Sequence, residues 1–207
     1  MTSRRKWALV PGFVALAAAV ALLSAYSGAS SSQGFAPEQP IAFPHPQHVK
    51  TLGMNCLYCH YAANKSMDPG MPAVGTCMGC HTLIGPNRPA IDSLPARTSA
   101  ELEKLNGYWA RKAPIPWVRI HKVPEYVRFP HNRHVNAGVT CQTCHGQVQE
   151  MNRVYQYASL NMGWCVNCHV GGYKPADGMR AAGLEPTAQD LAAPPRKARY
   201  DCASCHY

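Results

Sequence analysis

The chain is short of the side chains that ordinarily fill an interior: among 207 residues, Phe occurs four times and Trp four times. Charged residues make up only 15%, and the acidic ones number 11, so neither a solvated charged tail nor an acidic binding surface is on offer. These shortages argue against an ordinary domain of this length, whose folding rests on burying large apolar side chains. Something other than side chains is expected to fill the middle. What the sequence does have is loop chemistry, with 18 Pro and 16 Gly, together with ten Cys and ten His.

Every cysteine falls in one pattern: Cys56, Cys59 and His60; Cys77, Cys80 and His81; Cys141, Cys144 and His145; Cys165, Cys168 and His169; Cys202, Cys205 and His206. Two thiols three residues apart on one helical turn can form thioethers with the two vinyl groups of a haem, while the next histidine faces the iron. Disulfides would suit an exported protein, and zinc ribbons also use paired cysteines. Neither needs a histidine after each second cysteine, and five out of five by chance is on the order of one in a few million. The reading is five covalently bound c-type haems. Beyond the first 40 residues this leaves about 33 residues per haem, so the expected fold is a multihaem cytochrome c: few short helices and mostly irregular chain around a packed haem core.

The formal charge of +9 would by itself suggest nucleic acid or an anionic surface. Two propionates on each of five haems nearly cancel it, so the basic excess reads as propionate compensation and no nucleic-acid partner is expected.

At the amino terminus Arg4, Arg5 and Lys6 precede about 20 uncharged residues, 7–26, rich in Ala, Leu and Val. At ~1.5 Å per residue that run spans a hydrocarbon core of ~30 Å. Positive residues stay cytoplasmic, which exports the remainder. A cleaved signal peptide shares the charged start and small-residue tail, but its apolar region is usually only ~7–15 residues. Residues 1–26 are therefore expected to be a signal-anchor and transmembrane helix, placing the haem domain on the periplasmic side of the inner membrane. Residues 27–40 read as a tether.

Five histidines lie outside the motifs: His45, His48, His121, His131 and His134. Four occur in two copies of one phrase, Phe43-Pro44-His45-Pro46-Gln47-His48-Val49 and Phe129-Pro130-His131-Asn132-Arg133-His134-Val135, each seven or eight residues before a motif. This reads as an internal duplication, with module one over 41–81 and module two over 129–169, each holding two haems. A lone histidine is ordinarily a surface or core residue. The repeat instead points to these four as iron ligands, and the one-for-one count adds His121. Methionine is the rival ligand, and Met162 or Met151 is the choice if one haem uses it; other methionines near the motifs read as packing.

Between the modules, 82–128 is a connector with one helix over 98–111, capped by Thr98 with Glu101 three positions on, whose Leu102, Leu105, Tyr108 and Trp109 share a face. Prolines force residues 113–117 to be extended, to cover haem edges or to contact a neighbour. Residues 170–207 read as a Gly-, Pro- and Ala-rich spacer delivering the fifth motif.

The anchor, the segment Cys56-Leu57-Tyr58-Cys59-His60-Tyr61, residues 119–134, Cys141-Gln142-Thr143-Cys144-His145-Gly146 and Met162-Gly163-Trp164-Cys165 resemble the pentahaem cytochrome c subunit of alternative complex III, a bacterial quinol-oxidising assembly. The resemblance covers most of 41–169. It implies a non-enzymatic electron relay, with quinol oxidised elsewhere, in polysulfide-reductase-like membrane subunits beside an iron-sulfur subunit, and electrons passing to a monohaem cytochrome or soluble acceptor. In related short multihaem folds the two histidines of such a phrase serve different haems. The alternative is a membrane-tethered carrier of another quinol dehydrogenase or reductase system. A nitrite-reductase-like enzyme needs an iron with a vacant face, often marked by lysine in place of a motif histidine, and no such variant occurs. A tetrahaem quinol dehydrogenase has one haem fewer and lacks the long duplication.

Overall fold

A computed structural model describes the backbone of residues 3–26, 32–92 and 95–207 and, within the first of these, the side chains of residues 10–24. The chain is wound as short helices joined by irregular segments: α1 (Ser3–Tyr26), α2 (Cys56–Cys59), α3 (Val74–His81), α4 (Ala100–Ala110), α5 (His131–Asn136), α6 (Cys141–His145), α7 (Met162–Gly171), α8 (Pro175–Ala181), α9 (Ala188–Ala192) and α10 (Cys202–Cys205). Two-residue strands β1 (Asn87–Arg88) and β2 (Arg97–Thr98) pair antiparallel, Asn87 opposite Thr98.

Each cysteine motif lies at least partly on a helical turn, and local caps start several of them. The Asn55 side chain accepts from Leu57 N at 2.8 Å ahead of α2, and Asn161 accepts from Trp164 N at 2.8 Å ahead of α7. α6 stops at Gly146, whose φ of 70° is left-handed. A Cβ there would stand 2.7 Å from the Tyr157 ring, so both conformation and space call for glycine.

Side chains supply little core. Ile41, Met78, Leu105 and Ile115 form a buried cluster, with Val74, Leu102, Tyr108 and Trp117 partly buried against it. The accessible surface is 14730 Å², against about 9,500 Å² for an ordinary folded chain of this mass. The exposed α1 accounts for part of the excess; the rest is polypeptide with too little of its own to fold around.

Residues 7–26 are helical as predicted; among the described residues no helix is long and apolar enough to cross a membrane. Other expectations are corrected. The tether lies outside the described residues over 27–31, and from Gln33 onward it is docked. Gly34 N donates to Gln156 O at 2.8 Å, Gln156 N donates to Phe35 O at 3.0 Å, and Gln39 exchanges two hydrogen bonds with the Val118 backbone. The connector helix begins at Ala100, capped by Ser99 rather than Thr98, and Trp109 at its end is half exposed. The extended strip 113–117 turns inward, burying Ile115 in the cluster. The presumed spacer holds α8 and α9, the latter closed by a Thr187–Asp190 capping box.

Candidate functional site

The duplication seen in the sequence is a duplication of geometry. In the first copy the Phe43 ring lies 4.8 Å from His45, edge-on, and 4.3 Å from His48, stacked. In the second, Phe129 lies 4.8 Å from His131, edge-on, and 4.4 Å from His134, stacked. His48 Nδ1 donates to Pro44 O at 3.0 Å, and His134 Nδ1 donates to Pro130 O at 3.0 Å. The backbones differ for a local reason. Pro46 has no N–H, and the first copy winds as a π-helical turn (Pro46–Thr51). Asn132 in the same position donates its N–H to Ser66 O at 3.1 Å and the second copy is α5.

These turns bring phrase histidines to motif histidines. His48 and His81 have ring centroids 6.2 Å apart, His134 and His169 6.0 Å, and His131 and His145 6.3 Å. Two imidazoles that ligate one iron from opposite faces hold their centroids roughly 6 Å apart, twice the sum of a ~2 Å metal–nitrogen bond and a ~1 Å ring radius. The three spacings fit an iron between each pair. His45 lies beside His60 and His48; burial first, then these neighbours, pull its pKa to about 4.

The tautomers also suit a metal. Besides His48 and His134, His81 Nδ1 donates to Ile84 O at 3.1 Å, His131 Nδ1 to Met67 O at 3.3 Å, and His169 Nδ1 to Arg199 O. A proton fixed at Nδ1 leaves Nε2 with its lone pair free for iron. Burial favours the neutral ring at several of these positions: it lowers His121, His131 and His134, and takes His145, which also faces His121, His131 and His60, down to about 3.

The ten cysteines are all free thiols, none in a disulfide. Cys56 and Cys141 face one another; their shared hydrogen bond lowers Cys56 to about 6 and raises Cys141. Burial, then Cys168 and Cys165, pushes Cys144 up to about 12.

Other expected residues are placed differently. His121 meets His145 edge-on at 4.3 Å, too close for an iron between them, and its buried Nε2 has no hydrogen-bond partner. The ring that faces His206 is Tyr126, stacked at 5.7 Å, which the sequence analysis did not single out. Its position beside Val127, which bridges His206, is a backbone effect with no sequence signal. Met151 is buried and its Cε packs beside Gly146, whereas Met162 is 70% exposed.

The family described as Cytochrome c7 and related cytochrome c matches residues 127–207. That stretch takes in module two and the fifth motif, including the tail that the sequence resemblance left out. The chain is also similar to a protein named menaquinone reductase, multiheme cytochrome c subunit, from Nitratidesulfovibrio vulgaris, at 26% identity over 152 residues, covering 64% of this chain and 68% of the relative.

Proposed function

We propose that this multihaem c-type cytochrome relays electrons along five covalently held haems between a quinone-reactive membrane partner and a second redox protein. The observation that carries the reading is the repeated pairing of imidazoles at about 6 Å in both modules. Each bound haem would supply one-electron exchange between ferrous and ferric iron.

The protein's own residues attach, orient and insulate. Cys56, Cys59, Cys77, Cys80, Cys141, Cys144, Cys165, Cys168, Cys202 and Cys205 hold the haems as thioethers. His60, His81, His145, His169 and His206 are the proximal ligands. His45, His48, His131 and His134 are assigned as distal ligands to motifs one, two, three and four in that order; at His48, His131 and His134 a hydrogen bond from Nδ1 leaves the Nε2 lone pair for iron. His121 is proposed for the remaining axial position on its buried, unpartnered Nε2, which requires it to leave the ring of His145, since Tyr126 is the ring that faces His206 here. With both axial positions taken by protein, such sites exchange electrons and hold no substrate, so quinone chemistry belongs to a partner.

The N-terminal helix is proposed as the tie to the inner membrane, with the haem domain on the periplasmic side. The partners proposed are those of alternative complex III: an iron-sulfur subunit, polysulfide-reductase-like membrane subunits and a monohaem cytochrome. The name of the Nitratidesulfovibrio relative favours a second reading, in which the same relay serves a menaquinone reductase and electrons run toward the quinone. Mass spectrometry of the native complex, extracted in mild detergent through this chain, tests both. Iron-sulfur and multi-span subunits support a quinone-linked assembly, and recovery of the cytochrome alone refutes it. Within such an assembly, haem reduction by added quinol supports the oxidising direction, and quinone-driven reoxidation of prereduced haems supports the other.

A further inference from the structure

Sequence order does not set spatial order in this chain. We propose that the five haem sites are strung in the order second, first, third, fourth, fifth motif, so that the sites at Cys77–His81 and Cys202–His206 are the two ends of the wire. The inference deepens the proposed relay and rests on it.

The second and first sites share one short phrase. Phe43 touches both His45 and His48, and His48 stands across from His81 while His45 lies beside His60. The third and fourth sites are joined in the same way through Phe129, His131 and His134.

The two modules meet through the first and third sites. Just beyond the first motif, the carbonyls of Asn64, Ser66 and Met67 accept from Asn136 Nδ2 at 3.0 Å, Asn132 N at 3.1 Å and His131 N at 3.2 Å. These donors belong to α5, whose His131 faces His145 of the third motif. A second clasp joins Lys50 to Glu150 at 2.8 Å, linking the first phrase to the turn after the third motif. The second motif lies on α3, which packs on α4 through Met78 and Leu105 rather than on α5.

The fifth site closes onto the fourth. His169 Nδ1 donates to Arg199 O, three residues before Cys202, and Tyr173 pairs antiparallel with Arg196. The fifth motif is fixed against the base of module two by Arg128 N donating to Cys205 O at 2.7 Å. Both ends open to solvent: Leu83 beside His81 is 90% exposed, and Tyr207 beside His206 is 78% exposed.

The test is an iron-edge anomalous difference map from crystals of the full-length holoprotein, with each peak assigned through its attached cysteines. The expected result is five peaks in which first–second, first–third, third–fourth and fourth–fifth are the nearest-neighbour separations. A second-motif iron closer to the third than the first is, or a fifth-motif iron nearest to either iron of module one, overturns the order and leaves the relay standing. Fewer than five peaks overturns the five-site reading on which the order depends.

Discussion

Replacing Gly178 by Ala would drive a methyl group into Tyr173. A Cβ at this position falls on the Tyr173 hydroxyl, within 2.8 Å of its Cζ and 3.3 Å of Thr140 Cγ2. Tyr173 cannot step aside cheaply, because it is buried and its backbone pairs with Arg196 on both sides. Its hydroxyl also accepts from Thr140 N at 3.3 Å, and Thr140 Oγ1 donates to Gly178 O at 3.0 Å, so the disturbance reaches the cap of α6 and the third haem motif. Overpacking costs about 1–3 kcal/mol, and losing the hydroxyl bond costs about 0.5–1.5 kcal/mol. The gain of Ala over Gly in a helix offsets about 0.5–1 kcal/mol. The net destabilisation is about 1–3 kcal/mol, which for a chain of this length lowers Tm by roughly 3–10 °C. Thermal unfolding of the holoprotein, followed by Soret circular dichroism, measures it. Gly75→Ala in α3 is the control, since its nearest neighbour, Trp109, is 4.0 Å away and the substitution should raise Tm slightly. A Gly178→Ala protein that melts at or above the wild-type temperature would refute the reasoning.

His48→Ala and His134→Ala should each convert one of five haems from low to high spin, seen as loss of about a fifth of the ferric low-spin signal in electron paramagnetic resonance; an unchanged signal in either removes that pairing. His121→Ala should lose a similar fraction if its free Nε2 binds iron, and unchanged low-spin absorption takes His121 off the ligand set. Glu101 accepts from Ala42 N at 2.6 Å and from Lys104 at 2.8 Å, which together hold its carboxyl below the usual range, the Lys104 bond contributing most. Its contribution is present above the ordinary carboxylate pKa and is lost as pH falls through the lowered one. Glu101→Ala should therefore destabilise by about 1 kcal/mol at neutral pH, and denaturant melts should show the gap to wild type closing in acid. A gap that widens in acid would be evidence against this assignment.

The c-type haem character was legible in sequence, because covalent attachment dictates spacing: cysteines three apart with histidine adjacent leave few alternatives. The duplicated phrase was legible through repetition, and the structure adds that Phe43 and Phe129 hold its histidines in matching poses. What stayed hidden is carried by backbone. The segment at Gln33 to Gln39 has no apolar period and reads as free chain, yet it docks through main-chain bonds to Gln156 and through the Gln33 and Gln39 amides to the main chain of Tyr157 and Val118, contacts that leave no period in the sequence. Thr98 and Ser99 are both good caps in adjacent positions, so pattern alone could not choose between them. His121 entered by counting irons, and counting cannot say that an extended segment delivers it to His145 rather than His206.

The last seven residues have a consequence for how the molecule is made. Arg128 N donates to Cys205 O, Val127 bridges His206, and Tyr207 N reaches back to Tyr126 O. A chain made amino end first therefore forms the segment at Val127 and Arg128 well before it meets the partners that Cys205, His206 and Tyr207 supply. These contacts act as a latch on the segment before module two, and bulk added beside Tyr207 would sit on that latch, whereas a tag placed in the exposed loop at Leu83 would leave it free to close.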